Sequence, residues 1–164
     1  MTARQALAVM MAPIKKFAWE RATCGAIFRA SPTSEPIMLL AGQSVQVAQA
    51  LEQVTDYWSP RIVGQVNDQY IKVAKLKGEF VWHDHPHEDE LFFVVYGRLK
   101  IAFEDRADVH LGPGEFCVVP RGVRHCPVAD EECGIMLIET VTTQHTGDTV
   151  TERTVSLDTQ LSAA

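Results

Sequence analysis

Three of the chain's six histidines fall within five positions, in His83-Asp84-His85-Pro86-His87, and a carboxylate follows at Glu90. The surrounding stretch, Gly78 to Gly97, reads G-E-F-V-W-H-D-H-P-H-E-D-E-L-F-F-V-V-Y-G. If residues 81 to 85 are extended, side chains two apart leave the same face of the strand, so His83 and His85 form a two-pronged pair. Pro86 interrupts the strand, His87-Glu88-Asp89 reads as a turn, and Glu90 opens a second apolar strand over Leu91 to Tyr96. Such a hairpin sets a carboxylate beside two imidazoles, a mixed nitrogen and oxygen set that suits divalent zinc, iron, nickel or manganese. His85 and His87 are also two apart and form an alternative pair.

Further along, Gly114 to His125 reads G-E-F-C-V-V-P-R-G-V-R-H: a strand, a tight Pro-x-Gly turn and a histidine opening the next strand. Gly122 permits the positive backbone dihedral that this turn uses, and His125 then faces back into the sheet.

The elements that must position these residues show a period of two from Arg61 onward. Strands are predicted at Arg61 to Val66, Tyr70 to Leu76, Phe80 to Asp84, Leu91 to Tyr96, Leu99 to Phe103, Val109 to Leu111, Glu115 to Pro120, Cys126 to Val128 and Gly134 to Thr140. Turn signals separate them, among them Lys77-Gly78, Gly97-Arg98, Gly112-Pro113-Gly114 and Asp130-Glu131. This spacing predicts an all-β chain, a closed antiparallel barrel or two-sheet roll. Leu91 to Tyr96 is apolar on both faces, so its outer face needs a helix, another sheet or a second subunit over it, and a homodimer is expected.

Ahead of the strands, Val47, Ala50, Leu51, Val54 and Tyr57 share one helical face, predicting an amphipathic helix over Ser44 to Tyr57, capped by Ser44 and stopped at Trp58-Ser59-Pro60. Residues 1–43 read as a partly irregular extension, basic at Arg4, Lys15, Lys16, Arg21 and Arg29, with a helix over Ala3 to Met11 and a linker at Ser31 to Pro36. Residues 44–141 form the barrel with its preceding helix. Residues 142–164 are threonine-rich and polar, and are expected to fray as a tail.

The length of 164 residues, 46% hydrophobic and 22% charged, suits one ordinary soluble domain, and no run reaches the length of a membrane span. A formal charge of -6 with scattered basic residues argues against nucleic acid as partner and for a small molecule. The apolar stretch Ala6 to Ala12 is followed rather than preceded by Lys15 and Lys16, unlike a secretory signal. Cys24, Cys117, Cys126 and Cys133 contain no C-x-x-C pair and read as reduced thiols, consistent with a cytoplasmic protein.

Together the two histidine-bearing stretches resemble the cupin superfamily. Gly78, His83, His85, Glu90 and Gly97 match its first motif, G-x5-H-x-H-x3,4-E-x6-G, with one residue fewer after the leading glycine. Gly114, Pro120, Gly122 and His125 match its second, G-x5-P-x-G-x2-H-x3-N, with Ala129 in place of the asparagine. The resemblance covers roughly Arg61 to Thr140. It implies a small jelly-roll barrel holding one divalent metal ion, Fe, Mn, Ni or Zn, on His83, His85, Glu90 and His125. W-H-x-H-x4-E-L-F is similar to single-domain bacterial cupins of the mannose-6-phosphate-isomerase-like type. That type implies a metal-dependent isomerase or, with iron, a dioxygenase acting on a small oxygen-rich substrate. A non-catalytic barrel that binds or senses a small ligand is the alternative.

Within this frame His87 sits on the rim, because Pro86 breaks the strand and only two residues separate it from Glu90. Glu88 and Asp89 are turn acids, either of which could orient a ligand. His110 and His145 are expected at the surface, and Lys72, Arg98, Lys100, Arg121 and Arg124 as solvated edge charges. Trp82, Phe92, Phe93 and Phe103 are expected in the core or between subunits. No general acid or base stands out beyond the metal ligands.

Overall fold

In a computed structural model of the chain, residues 42–162 are described. The expected extension, with its helix over Ala3 to Met11, lies outside them apart from residues 42 and 43. Seven antiparallel strands follow a short helix: α1 (Val47–Glu52), β1 (Arg61–Val66), β2 (Gln69–Glu79), β3 (Glu90–Tyr96), β4 (Leu99–Phe103), β5 (Val109–Leu111), β6 (Phe116–Val119) and β7 (His125–Thr140). The order through the sheet is β1-β2-β7-β3-β6, with β4 joining β7 to β5.

The sixteen-residue β7 is the spine of this arrangement. Its first residues pair with β4 (Phe103 with His125, Lys100 with Val128), and its second half lies between β2 and β3. Asp130-Glu131 does not form the expected turn. Asp130, Glu131 and Glu132 are instead an exposed bulge, three residues facing the single Lys77 between the pairs Leu76–Cys133 and Gly78–Ala129. A polar triplet carries the same pattern whether a strand ends or bends outward to water, and here it bends. Tyr57 and Tyr96 donate their hydroxyls to Glu132, at 2.9 and 2.8 Å.

Alternation decides what each strand presents inward. Along β3, Glu90, Phe92 and Val94 are buried, while Leu91, Phe93 and Val95 face outward and are partly exposed. The interior is apolar around Trp58, Leu76, Phe92, Ile101, Phe103 and Ile135. Helix α1 covers part of the outer face, its Leu51 and the Val54 that follows it clustering with Val73. It is shorter than the predicted Ser44 to Tyr57. Its N-cap is Gln46, without a side-chain capping bond, so Ser44 does not cap it. Tyr57 bridges to Lys75, and the Trp58 N–H donates to the Lys75 carbonyl at 2.9 Å, which pulls the chain into the sheet before another helical turn can form. Trp58 adopts a φ of 61° and turns its ring inward, stacked 4.7 Å from Phe80.

The segment after β7 is not frayed. It folds back as a strap: Thr143, His145, Thr146 and Gln160 are buried, and a second helix, α2 (Leu157–Ser162), packs near β1. The threonines that suggested solvation bond to one another, as in Thr140–Thr143 at 2.8 Å and Thr146–Thr154 at 3.0 Å. No helix among the described residues is long and apolar enough to cross a membrane.

Candidate metal centre

His83 and His125 are cross-strand partners. The His83 N–H donates to the His125 carbonyl at 3.0 Å, the His125 N–H returns the bond at 2.9 Å, and the rings lie 4.4 Å apart. Of the expected strand Phe80 to Asp84, only this bridge is ordered as sheet. The reason is local: Pro86 follows, and the chain must leave the sheet to reach Glu90. The Pro120–Val123 turn holds the other side of the site. Gly122 has a φ of 69° and donates its N–H to the His85 carbonyl at 2.8 Å. Asp89 accepts the Arg121 N–H at 2.9 Å, so this turn acid anchors the second histidine-bearing stretch to the first.

These constraints bring His83, His85, Glu90 and His125 together, all buried, with one donor atom from each within 4.8 Å of every other. Glu90 Oε2 lies 3.1 Å from His125 Nε2, 3.3 Å from His85 Nε2 and 4.0 Å from His83 Nε2. The Nδ1 atoms of His83 and His125 face the Val81 and Val123 carbonyls at 2.9 and 3.0 Å. A carbonyl only accepts, so each Nδ1 carries a proton and each Nε2 is the atom turned into the cluster. This is how metal-binding imidazoles are oriented.

His83 Nε2 and His85 Nε2 are buried without a hydrogen-bond partner. Leaving such atoms bare is costly, and a cation among three imidazoles and a carboxylate would satisfy them at once. Burial pushes His83 down to about 4, only partly opposed by Glu90, so its ring is neutral and available as a ligand. Burial also opposes charge on His85, but the Glu90, Glu139 and Glu88 carboxylates outweigh it and raise that imidazole. Burial raises Glu90 in turn, yet His125 and His85 hold its carboxyl well below the usual range, which keeps it anionic. The donor set therefore fits a divalent ion, and with a metal that prefers six ligands it leaves two positions open.

His87 and His110 are exposed and stand apart from the cluster. His145 is not at the surface as expected. It is buried, its ring stacks 5.9 Å from Phe80, and its Nε2 accepts the Val155 N–H at 2.8 Å. Lys72 is not an edge charge either, since it is fully buried in an ion pair with Glu139. Alternation could have located both members of that pair: Lys72 shares the inward face of β2 with Ala74 and Leu76, and Glu139 that of β7 with Ile135 and Leu137. Burial pushes the Glu139 carboxyl up to about 7, with Lys72 pulling against it and Glu90 adding to the rise. Phe92 and Phe103 are core residues, Phe93 is half-buried and Trp82 is exposed. Cys117, Cys126 and Cys133 are free thiols. Burial pushes the last two up to about 11, so none is an activated nucleophile, and Cys24 lies outside the described residues.

The family model described as Cupin domain matches residues 70–140. Among solved structures, a cupin-2 domain containing protein from Shewanella frigidimarina is 44% identical, covers 58% of this chain and 93% of its own, and has a TM-score of 0.57. A protein from Neisseria meningitidis is 31% identical, covers 60% of this chain and 99% of its own, and has a TM-score of 0.56. An uncharacterized protein of Bacillus subtilis (strain 168), YdbB, is 38% identical over 63 residues, a stretch that spans 38% of this chain and 56% of that protein's length.

Proposed function

This chain belongs to the cupin family, and from that premise we propose that it is a metal-dependent enzyme holding one divalent ion on His83, His85, Glu90 and His125. The observation that carries the reading is the pair of buried, unpartnered Nε2 atoms on His83 and His85, aimed at the same carboxylate oxygen. The bound ion would supply Lewis-acid polarisation of a substrate oxygen at its open positions. The chain's own residues do the rest. Val81 and Val123 fix two imidazole tautomers through their carbonyls, the Gly122–His85 bond holds the loop between the ligands, and the apolar interior keeps bulk water from the site.

Isomerisation by proton transfer beside a polarised carbonyl and, with iron, oxidative cleavage are the two reactions this donor set supports. They are separated by incubating protein loaded with iron, manganese or zinc with a panel of small hydroxy and keto compounds. Oxygen uptake and incorporation of solvent deuterium would be followed. Turnover lost in His125→Ala supports the enzyme reading. Tight ligand binding with no turnover under any metal would instead favour a binding or sensing barrel. A homodimer is proposed alongside, with the outward residues Leu91, Phe93, Phe116 and Val118 as its contact. Sedimentation of Phe116→Glu as a monomer, against a wild-type dimer, tests it.

A further inference from the structure

Next to the four-residue cluster lies a cavity of about 30 Å³, room for a few light atoms. Of the twelve described residues that line it, only His83, Glu90 and His145 are polar, and the rest are aromatic or aliphatic, with Trp58, Phe80 and Phe92 foremost. No arginine or lysine among the described residues lines it. The nearest buried cation among the described residues, Lys72, is already paired with Glu139. A phosphate placed here would leave water without a counter-charge, whereas a hydrocarbon group would replace wall-to-water contact with wall-to-ligand contact.

The remaining polar wall comes from the strap, outside residues 70–140. Gly147 turns the strap with a φ of 55° so close to the ligand loop that a methyl group there would lie 2.0 Å from the Asp84 carbonyl, between His83 and His85. Two residues earlier, His145 enters the cavity wall. Because its Nε2 accepts from Val155, the neutral ring carries its proton on Nδ1, a donor with no protein partner among the described residues. The cavity is thus lined by His83 and Glu90 of the cluster, by the His145 imidazole and by an aromatic wall.

Resting on the metal-centre reading above, we propose that the substrate is a small unphosphorylated molecule with an oxygen donor at one end and a hydrocarbon body. The body occupies the slot formed by Trp58, Phe80 and Phe92, and His145 is a specificity residue that donates to the metal-bound end. The cavity's lining sets this class apart from sugar phosphates.

The test uses acetohydroxamate and butyrohydroxamate, which bind metals through the same two oxygens and differ by two methylene groups. Their affinities for metal-loaded full-length protein would be measured by calorimetry. Butyrohydroxamate should bind on the order of tenfold tighter, and fructose 6-phosphate should not displace it. Ala74→Leu, which fills the slot, should erase the preference but keep acetohydroxamate binding. His145→Phe should weaken both hydroxamates several-fold at unchanged metal content, and His145→Gln, which keeps a donor, should restore them. Equal affinity for the two hydroxamates in the wild-type protein, or displacement by the sugar phosphate, overturns the proposal whether or not the variants fold. Metal retained with neither hydroxamate bound also overturns it and leaves the metal centre standing, while protein that retains no metal overturns the reading beneath it.

Discussion

Two polar groups of residues share the interior of this barrel, and they are satisfied in different ways. In the first, Lys72 pairs with Glu139 and the His145 imidazole accepts a backbone N–H from the strap, with Glu139 Oε1 left as its one unbonded carboxylate oxygen. In the second, formed by His83, His85, Glu90 and His125, two imidazole nitrogens are left facing one carboxylate oxygen with no bond of their own. Equal burial thus conceals unequal need. The first group contains its own counter-charge, and the second leaves two imidazole nitrogens that a cation would satisfy.

The comparison is broken most easily at Lys72. Lys72→Met should cost about 3–5 kcal/mol in urea denaturation, because it strands a buried carboxylate. The double variant Lys72→Met, Glu139→Leu should recover most of that stability, and metal content should stay at the wild-type level in the double variant. A single variant that loses metal but no stability would merge the two groups into one.

A pH series on metal-free protein sharpens the contrast. His145 is pushed down to about 4, first by burial and then by the Lys72 charge, with Glu90 opposing and His83 and His85 adding to the fall. An unfolded histidine titrates near 6.5, so between these values the unfolded chain binds more protons than the folded one. Stability therefore drops as the pH falls from about 6.5 to 4, by on the order of 3 kcal/mol from this residue. Thermal melts of His145→Gln should show a flatter acid limb than the wild type. An unchanged limb would mean that the ring is not buried as a neutral group.

Gly147→Ala is expected to cost about 1–3 kcal/mol, since the added methyl overlaps the Asp84 carbonyl and the φ is left-handed. Because Asp84 sits between two ligands, metal affinity should fall with it, and proteolysis should cut the strap first. His87→Ala marks the small end of the scale. The side chain is exposed and away from the cluster, so stability should change by less than about 0.5 kcal/mol and metal content not at all.

The cluster itself was legible because its spacing is local. An H-x-H pair, a carboxylate five residues on and a Pro-x-Gly-x-x-His turn each state their geometry within a few residues. β1, β4 and β5 were legible to the residue for the same reason. What escaped depends on distant partners. Asp130 to Glu132 looks like a turn unless β2 is known to lie alongside, and the strap looks like solvated tail unless Thr146 and His145 are known to face the barrel. Lys72 and Glu139 lie on different strands, 67 positions apart, so the alternation that puts each on an inward face does not show that they meet. Helix α1 was overextended because periodicity reports which residues could share a face, and not that Trp58 is drawn inward by Lys75 and Phe80.

The measurement that tests the central claim most directly is elemental analysis of protein purified without a histidine tag and without added metal, with His125→Ala beside it. One equivalent of a divalent ion per wild-type chain, lost in the variant, is predicted. Substoichiometric metal in every wild-type preparation, with no rise in melting temperature on adding iron, manganese, nickel or zinc, would contradict it.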